Sequence, residues 1–122
     1  REQKMRWHPM SEIETDGFDS VIDKAINEAL DGPDKIYLSV DIDVLDPAFA
    51  PGTGTPEPGG LSSSQLLRAI RTISKSVEIV AVDIVEVAPH YEGPASITAE
   101  AAHRMMLEAI SGIAVYRKNN RT

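Results

Sequence analysis

SVDIDVLDP, residues 39–47, places Asp41 and Asp43 inside a run containing Ile36, Leu38, Val40, Ile42, Val44 and Leu45. Such a run, with few polar positions on either face, reads as a β-strand buried on both sides, the kind found in a parallel sheet covered by helices. On this reading the strand spans residues 35–44. The spacing of two puts both carboxylates on one face, roughly 6.6 Å apart at about 3.3 Å per residue. An unpaired buried carboxylate is costly, and two that point the same way call for a counter-charge. Lys35 is the only basic residue close by in the segment. A divalent cation would meet the need. In open α/β sheets ligands gather at the carboxyl ends of the strands, where this pair falls. Taken alone, an Asp-x-Asp at a strand end is also compatible with a solvated turn cap.

Outward from this strand, the chain alternates between helical and extended patterns. Residues 18–30 carry Phe18, Val21, Ile22, Ala25, Ile26, Ala29 and Leu30 at helical spacing, with Asp16 as the expected N-cap and Gly32-Pro33 as the stop. Residues 61–74 open on a capping box, Ser62 with Gln65, and continue through Leu66, Leu67, Ile70 and Ile73 on one face. VEIVAVDIVEV, residues 77–87, is rich in β-branched residues and forms the second expected buried strand. Thr98 is the expected cap of a last helix whose apolar stripe is Ala102, Met105, Met106, Ala109, Ile110 and Ile113. The opening REQKMRWHPMSEIETDG fits either a loop or a short helix. The alternation argues for an α/β layer fold with a parallel sheet and right-handed crossovers. About four to six strands is usual for a sheet, so two strands leave the rest to be supplied from elsewhere.

Composition narrows the function. The 122 residues are 42% hydrophobic and 25% charged, and 12 basic against 19 acidic residues give a net charge of −7. That balance argues against nucleic acid as a partner and tolerates cationic ligands. With no cysteine there is no disulfide framework and no thiolate metal site, so any metal must be held by oxygen and imidazole ligands. No apolar run is long enough for a membrane span and no signal peptide is visible, so a cytoplasmic location is expected. The first residue is Arg1 rather than Met, as in a fragment.

After the aspartates come Asp46-Pro47 and PGTGTPEPGG, residues 51–60, a long loop in which prolines fix φ and glycines open conformations closed to other residues. Long ordered loops at strand ends tend to carry function. The run SVDIDVLDPAFAPGTGTPEPGGL, together with VDIVEVAP at residues 82–89, resembles the signatures of the ureohydrolases, the family of arginase and agmatinase. The resemblance runs from about residue 18 onward, and PGTGTP with DIVEV is most similar to the agmatinase, guanidinobutyrase and proclavaminate amidinohydrolase branch.

This resemblance implies a three-layer α/β/α fold with a mostly parallel sheet, of which this chain is the C-terminal portion of a single domain, the upstream portion lying outside it. It implies that Asp41 and Asp43 are ligands of a two-manganese site, that Glu86 binds the cationic guanidinium of the substrate, and that Thr55 and Asp83 support it. Asp46 is expected to hold the loop. The implied reaction is hydrolysis of a guanidino compound such as agmatine to urea and an amine, in a cytoplasmic homo-oligomer, trimeric or hexameric. The chemistry is coherent. A guanidinium carbon is a poor electrophile, and a pair of divalent cations is a general means of supplying a strong nucleophile at neutral pH. A carboxylate can take paired hydrogen bonds from the planar guanidinium and orient it.

Two features sit less easily. Asp83 and Glu86 are three apart and would face opposite sides of a regular strand, so the strand is expected to end or bulge between them. The histidine-bearing metal motifs of the family are missing from the chain, and none of His8, His90 or His103 stands in one; the catalytic groups are expected upstream. His103 is expected at the surface or in packing, His90 in a loop, and His8 has no readable role. By itself the chain is expected to be nearly inactive. The rival reading is a non-catalytic module whose half-sheet serves as an interaction surface or weak cation binder. An unrelated nucleotide-dependent Asp-x-Asp enzyme fits poorly, since the proline-stiffened PGTGTP makes a poor phosphate cradle.

Overall fold

The Ser62 hydroxyl accepts from the Gln65 N–H at 3.2 Å and the Gln65 side chain accepts from the Ser62 N–H at 2.9 Å, a reciprocal capping box that starts a helix where the sequence places one. In the computed structural model, which describes residues 5–120, this helix is the third of four. Helices α1 (Met10–Asp16) and α2 (Phe18–Ala29) lead to strand β1 (Lys35–Asp41) and a 3-10 turn, Ile42–Val44. The long loop then reaches α3 (Ser63–Ser76), which is followed by strand β2 (Glu78–Val85), a second 3-10 turn (Pro89–Tyr91) and α4 (Ile97–Asn119).

The two strands pair in parallel, from Lys35 opposite Glu78 to Asp41 opposite Val85, with Val80 as an extra residue that shifts the register after Ile36. Leu38 and Val40 of β1, with Val82 and Ile84 of β2, turn toward a core built from Phe18, Ile42, Leu45, Ala50, Leu61, Leu66, Ala69, Ile70, Met105 and Ala109. Each large apolar side chain buried there contributes about 1.5–3 kcal/mol. Helices α3 and α4 pack against each other, and α4 also lies on β2.

Several local expectations are corrected. The first strand stops at Asp41 rather than Val44, because its partner ends opposite it and the Asp41 side chain accepts from the Asp43 N–H at 3.1 Å, bending the chain into the 3-10 turn. The second strand is likewise shorter than residues 77–87. Strand β1 is not covered on both faces: Ile36, Leu38 and Val40 are partly or fully buried, whereas Lys35, Tyr37, Ser39 and Asp41 are exposed. Asp16 closes α1 instead of capping α2, whose N-cap is Gly17 at φ 87°. Ser96 is the N-cap of α4, and Thr98 lies inside its first turn. The stripe on α4 is largely as expected, with Met105 and Ala109 buried and Ala102, Met106 and Ile113 half-buried, but it differs at three positions. Ile110 is exposed, while Glu108 and Gly112 are buried.

Gly112 is buried where α4 crosses α3. A Cβ there would come within 2.4 Å of the Ser74 Cβ, so the two helices cross at a point where only glycine fits. Glu108 is tolerated because Arg71 grips both its carboxylate oxygens, at 2.7 and 2.6 Å, and Arg104 adds a third contact at 3.0 Å. Of the opening segment, residues 10–16 are helical, and residues 1–4 lie outside the described residues.

Candidate active site

Asp41 ends β1 and Asp43 lies two residues on, in the 3-10 turn, so they do not sit on one face of a continuous strand. They are nevertheless neighbours, since the Asp41 carboxylate accepts the Asp43 backbone N–H. The Thr55 hydroxyl donates to Asp43 Oδ2 at 2.6 Å, which brings the tip of the long loop to the strand end. Glu86 directly follows Val85, the partner of Asp41, and has φ 62°. A left-handed conformation at a non-glycine residue is uncommon and costs roughly 1–2 kcal/mol. It also resolves the spacing of Asp83 and Glu86, because the strand ends between them.

The charge balance here is lopsided. Desolvation pushes the Asp41 carboxyl above its ordinary range; the hydrogen bond from the Asp43 N–H pulls it partly back, and the charges of Asp43 and Glu86 push it further up. Among the described residues, Asp41, Asp43 and Glu86 form no ion pair. Three negative groups thus meet at the carboxyl ends of two adjacent parallel strands.

The surrounding residues hold this corner in shape. The Asp46 carboxylate accepts from the Ala48 and Gly59 N–H groups, each at 2.9 Å, and these bonds hold its carboxyl below the usual carboxylate range. Gly60 passes so close to the chain at Leu45 and Asp46 that a Cβ would lie 2.5 Å from the Asp46 nitrogen. Asp83, opposite Ser39 in the sheet, accepts from the Tyr37 hydroxyl, and this bond, with Ser39 nearby, holds its carboxyl below the usual range, while its Oδ1 is buried without a partner among the described residues. Tyr37 and Glu92, which caps the first turn of α4, escaped the sequence reading. The available signals were Tyr37 sharing a strand face with Ser39 and Asp41, and an acid just ahead of a helix start.

Among the described residues no histidine hydrogen-bonds to Asp41, Asp43 or Glu86. His8 bridges Glu12 at 2.9 Å and Glu28 at 3.2 Å, His90 is exposed beside Tyr91, and His103 is exposed on α4. Among the described residues no group of three or more His, Asp or Glu side chains is arranged to hold a metal ion. No helix among them is long and apolar enough to cross a membrane.

The family model described as the Arginase family matches residues 1–112. The chain belongs to the arginase family. Agmatinase from Halalkalibacterium halodurans is 53% identical over 78 residues, covering 63% of this chain and 27% of that protein. Agmatinase from Citrobacter koseri is 47% identical over 94 residues, covering 77% and 29% respectively. Proclavaminate amidino hydrolase from Streptomyces clavuligerus matches in structure with a TM-score of 0.83 and 37% identity, over 92% of this chain and 37% of that one. The similarity is thus to the agmatinase-like branch of the arginase family. The chain carries part of the arginase fold, a parallel strand pair with its helices, and spans between a quarter and a third of the length of these curated relatives.

Proposed function

We propose that this chain is the C-terminal portion of a manganese-dependent amidinohydrolase, which as a complete protein cleaves a guanidino compound such as agmatine into urea and an amine. The observation that carries the reading is the meeting of Asp41, Asp43 and Glu86, without an ionic partner among the described residues, at the carboxyl ends of β1 and β2. Membership of the arginase family and similarity to agmatinases support it.

The donor set fits the metal. Asp41 and Asp43 offer hard carboxylate oxygens, which suit manganese, and neither forms an ion pair among the described residues. These two would contribute ligands to a pair of manganese ions whose other ligands come from upstream. When bound, such a pair supplies an activated water at neutral pH. The chain's own residues do the rest. Thr55 fixes the orientation of Asp43 through its 2.6 Å hydrogen bond. Glu86 accepts paired hydrogen bonds from the guanidinium and neutralises it. Asp46 clamps the loop that presents Thr55, and Asp83 with Tyr37 braces the open sheet face. The reading includes a homo-oligomer, trimeric or hexameric, in the cytoplasm, with a small guanidino substrate and no nucleic acid partner.

In the complete protein, Asp41→Asn and Asp43→Asn each abolish manganese-dependent urea release and lower the bound metal. Wild-type activity and metal content in either variant contradict the assignment. A second reading, a non-catalytic module, draws on the exposed face of β1; it predicts at most weak cation binding by the complete protein and no urea release for these substitutions to abolish.

A further inference from the structure

Glu86 and Thr55 lie on different loops, one after each strand, and substrate recognition of the kind proposed above needs them at a constant separation. The two loops touch at Gly52. Gly52, three residues before Thr55, accepts at its carbonyl from the N–H of Ala88, two residues past Glu86, at 2.8 Å, and donates its N–H to the Thr98 hydroxyl at 2.7 Å. Thr98 is completely buried in the first turn of α4. Its own N–H, with that of Ala99, donates to the Glu92 carboxylate at 2.8 and 3.3 Å. The Glu92 side chain packs directly on Gly52, where a Cβ would lie 2.9 Å from the Glu92 Cδ and 3.0 Å from the Thr98 hydroxyl.

From this geometry we infer that Glu92 and Thr98 are positioning residues: they form a latch at the N-terminus of α4 that joins the Glu86 loop to the Thr55 loop through Gly52. The joint is not interchangeable with ordinary packing. Removing the Thr98 hydroxyl leaves a buried Gly52 N–H without an acceptor, and a glycine is required for the close approach. The functional part of the inference rests on the amidinohydrolase reading, whereas the mechanical part does not.

Amide hydrogen exchange on the complete protein tests the latch first. Thr98→Val accelerates exchange at Gly52 and Ala88 by roughly tenfold relative to the amides of β1, and Thr98→Ser, which keeps the hydroxyl, restores protection. Glu92→Gln, measured in the same way, loosens the same amides by a smaller factor and serves if the valine variant does not fold. Unchanged exchange at Ala88, or no rescue by serine, overturns the latch. In the complete protein saturated with manganese, Thr98→Val raises KM for agmatine several-fold and lowers kcat by less. Loosened loops with unchanged KM overturn the positioning role. A wild-type protein that releases no urea while its exchange pattern follows the prediction contradicts the amidinohydrolase reading and upholds the latch.

Discussion

Glu86 holds a backbone conformation that its side chain disfavours, at φ 62°, beside a strand end where two more carboxylates already crowd. Strain of this kind persists only where surrounding structure enforces it, and it collects at functional sites. The expected outcome is a separation of stability from function. Glu86→Gly stabilises the chain by up to about 1 kcal/mol in chemical denaturation while removing urea release from the complete protein. Asp41, Asp43, Thr55 and Glu86 stand out in the sequence as candidates because each lies in a linear motif that pattern or resemblance picks out. The Tyr37 bond to Asp83 and the left-handed Glu86 were not legible there, because they arise from strand pairing between residues about 45 apart, which no local pattern records.

At the scale of elements, the crossing of α3 and α4 depends on Gly112 against Ser74 and on Glu108 between two arginines. Gly112→Ala forces the helices apart and destabilises the chain by about 1–3 kcal/mol, and adding Ser74→Gly, which removes the colliding Cβ, recovers a measurable part of the loss in a double-mutant cycle. The hydrogen bond to Arg71, with the charges of both arginines, holds the Glu108 carboxyl below its ordinary value of 4.5. A depressed folded value means stability that is present above that ordinary value and fades as pH falls through the folded one. The melting temperature of wild type therefore exceeds that of Glu108→Gln at pH 7, and the gap narrows steadily as pH drops below 4.5. Helix α3 was readable to its capping box, since that signal is local. The face of α4 was readable at Met105 and Ala109, but Gly112 and Glu108 on it were not, because a glycine and a glutamate there have meaning only against Ser74 and Arg71 of another helix.

For the molecule as a whole, the alternation of helix and strand correctly implied a parallel sheet, yet the doubly buried reading of β1 fails in this chain because nothing among the described residues covers Tyr37, Ser39 and Asp41. Strand β2 leaves Val80 and the neighbouring Ile110 each 56% exposed along an open groove. Uncovered sheet faces and edges of this sort invite association. The isolated chain is expected to self-associate with rising concentration, and Val80→Lys reduces that in light scattering. The central claim is that the strand-end carboxylates belong to a manganese amidinohydrolase. It is met most directly by urea release from the complete protein with agmatine, arginine and 4-guanidinobutyrate, before and after chelation. Release from one of the three, lost on chelation and restored by manganese, is the predicted result. Release from none of them, or release indifferent to chelation, contradicts the account.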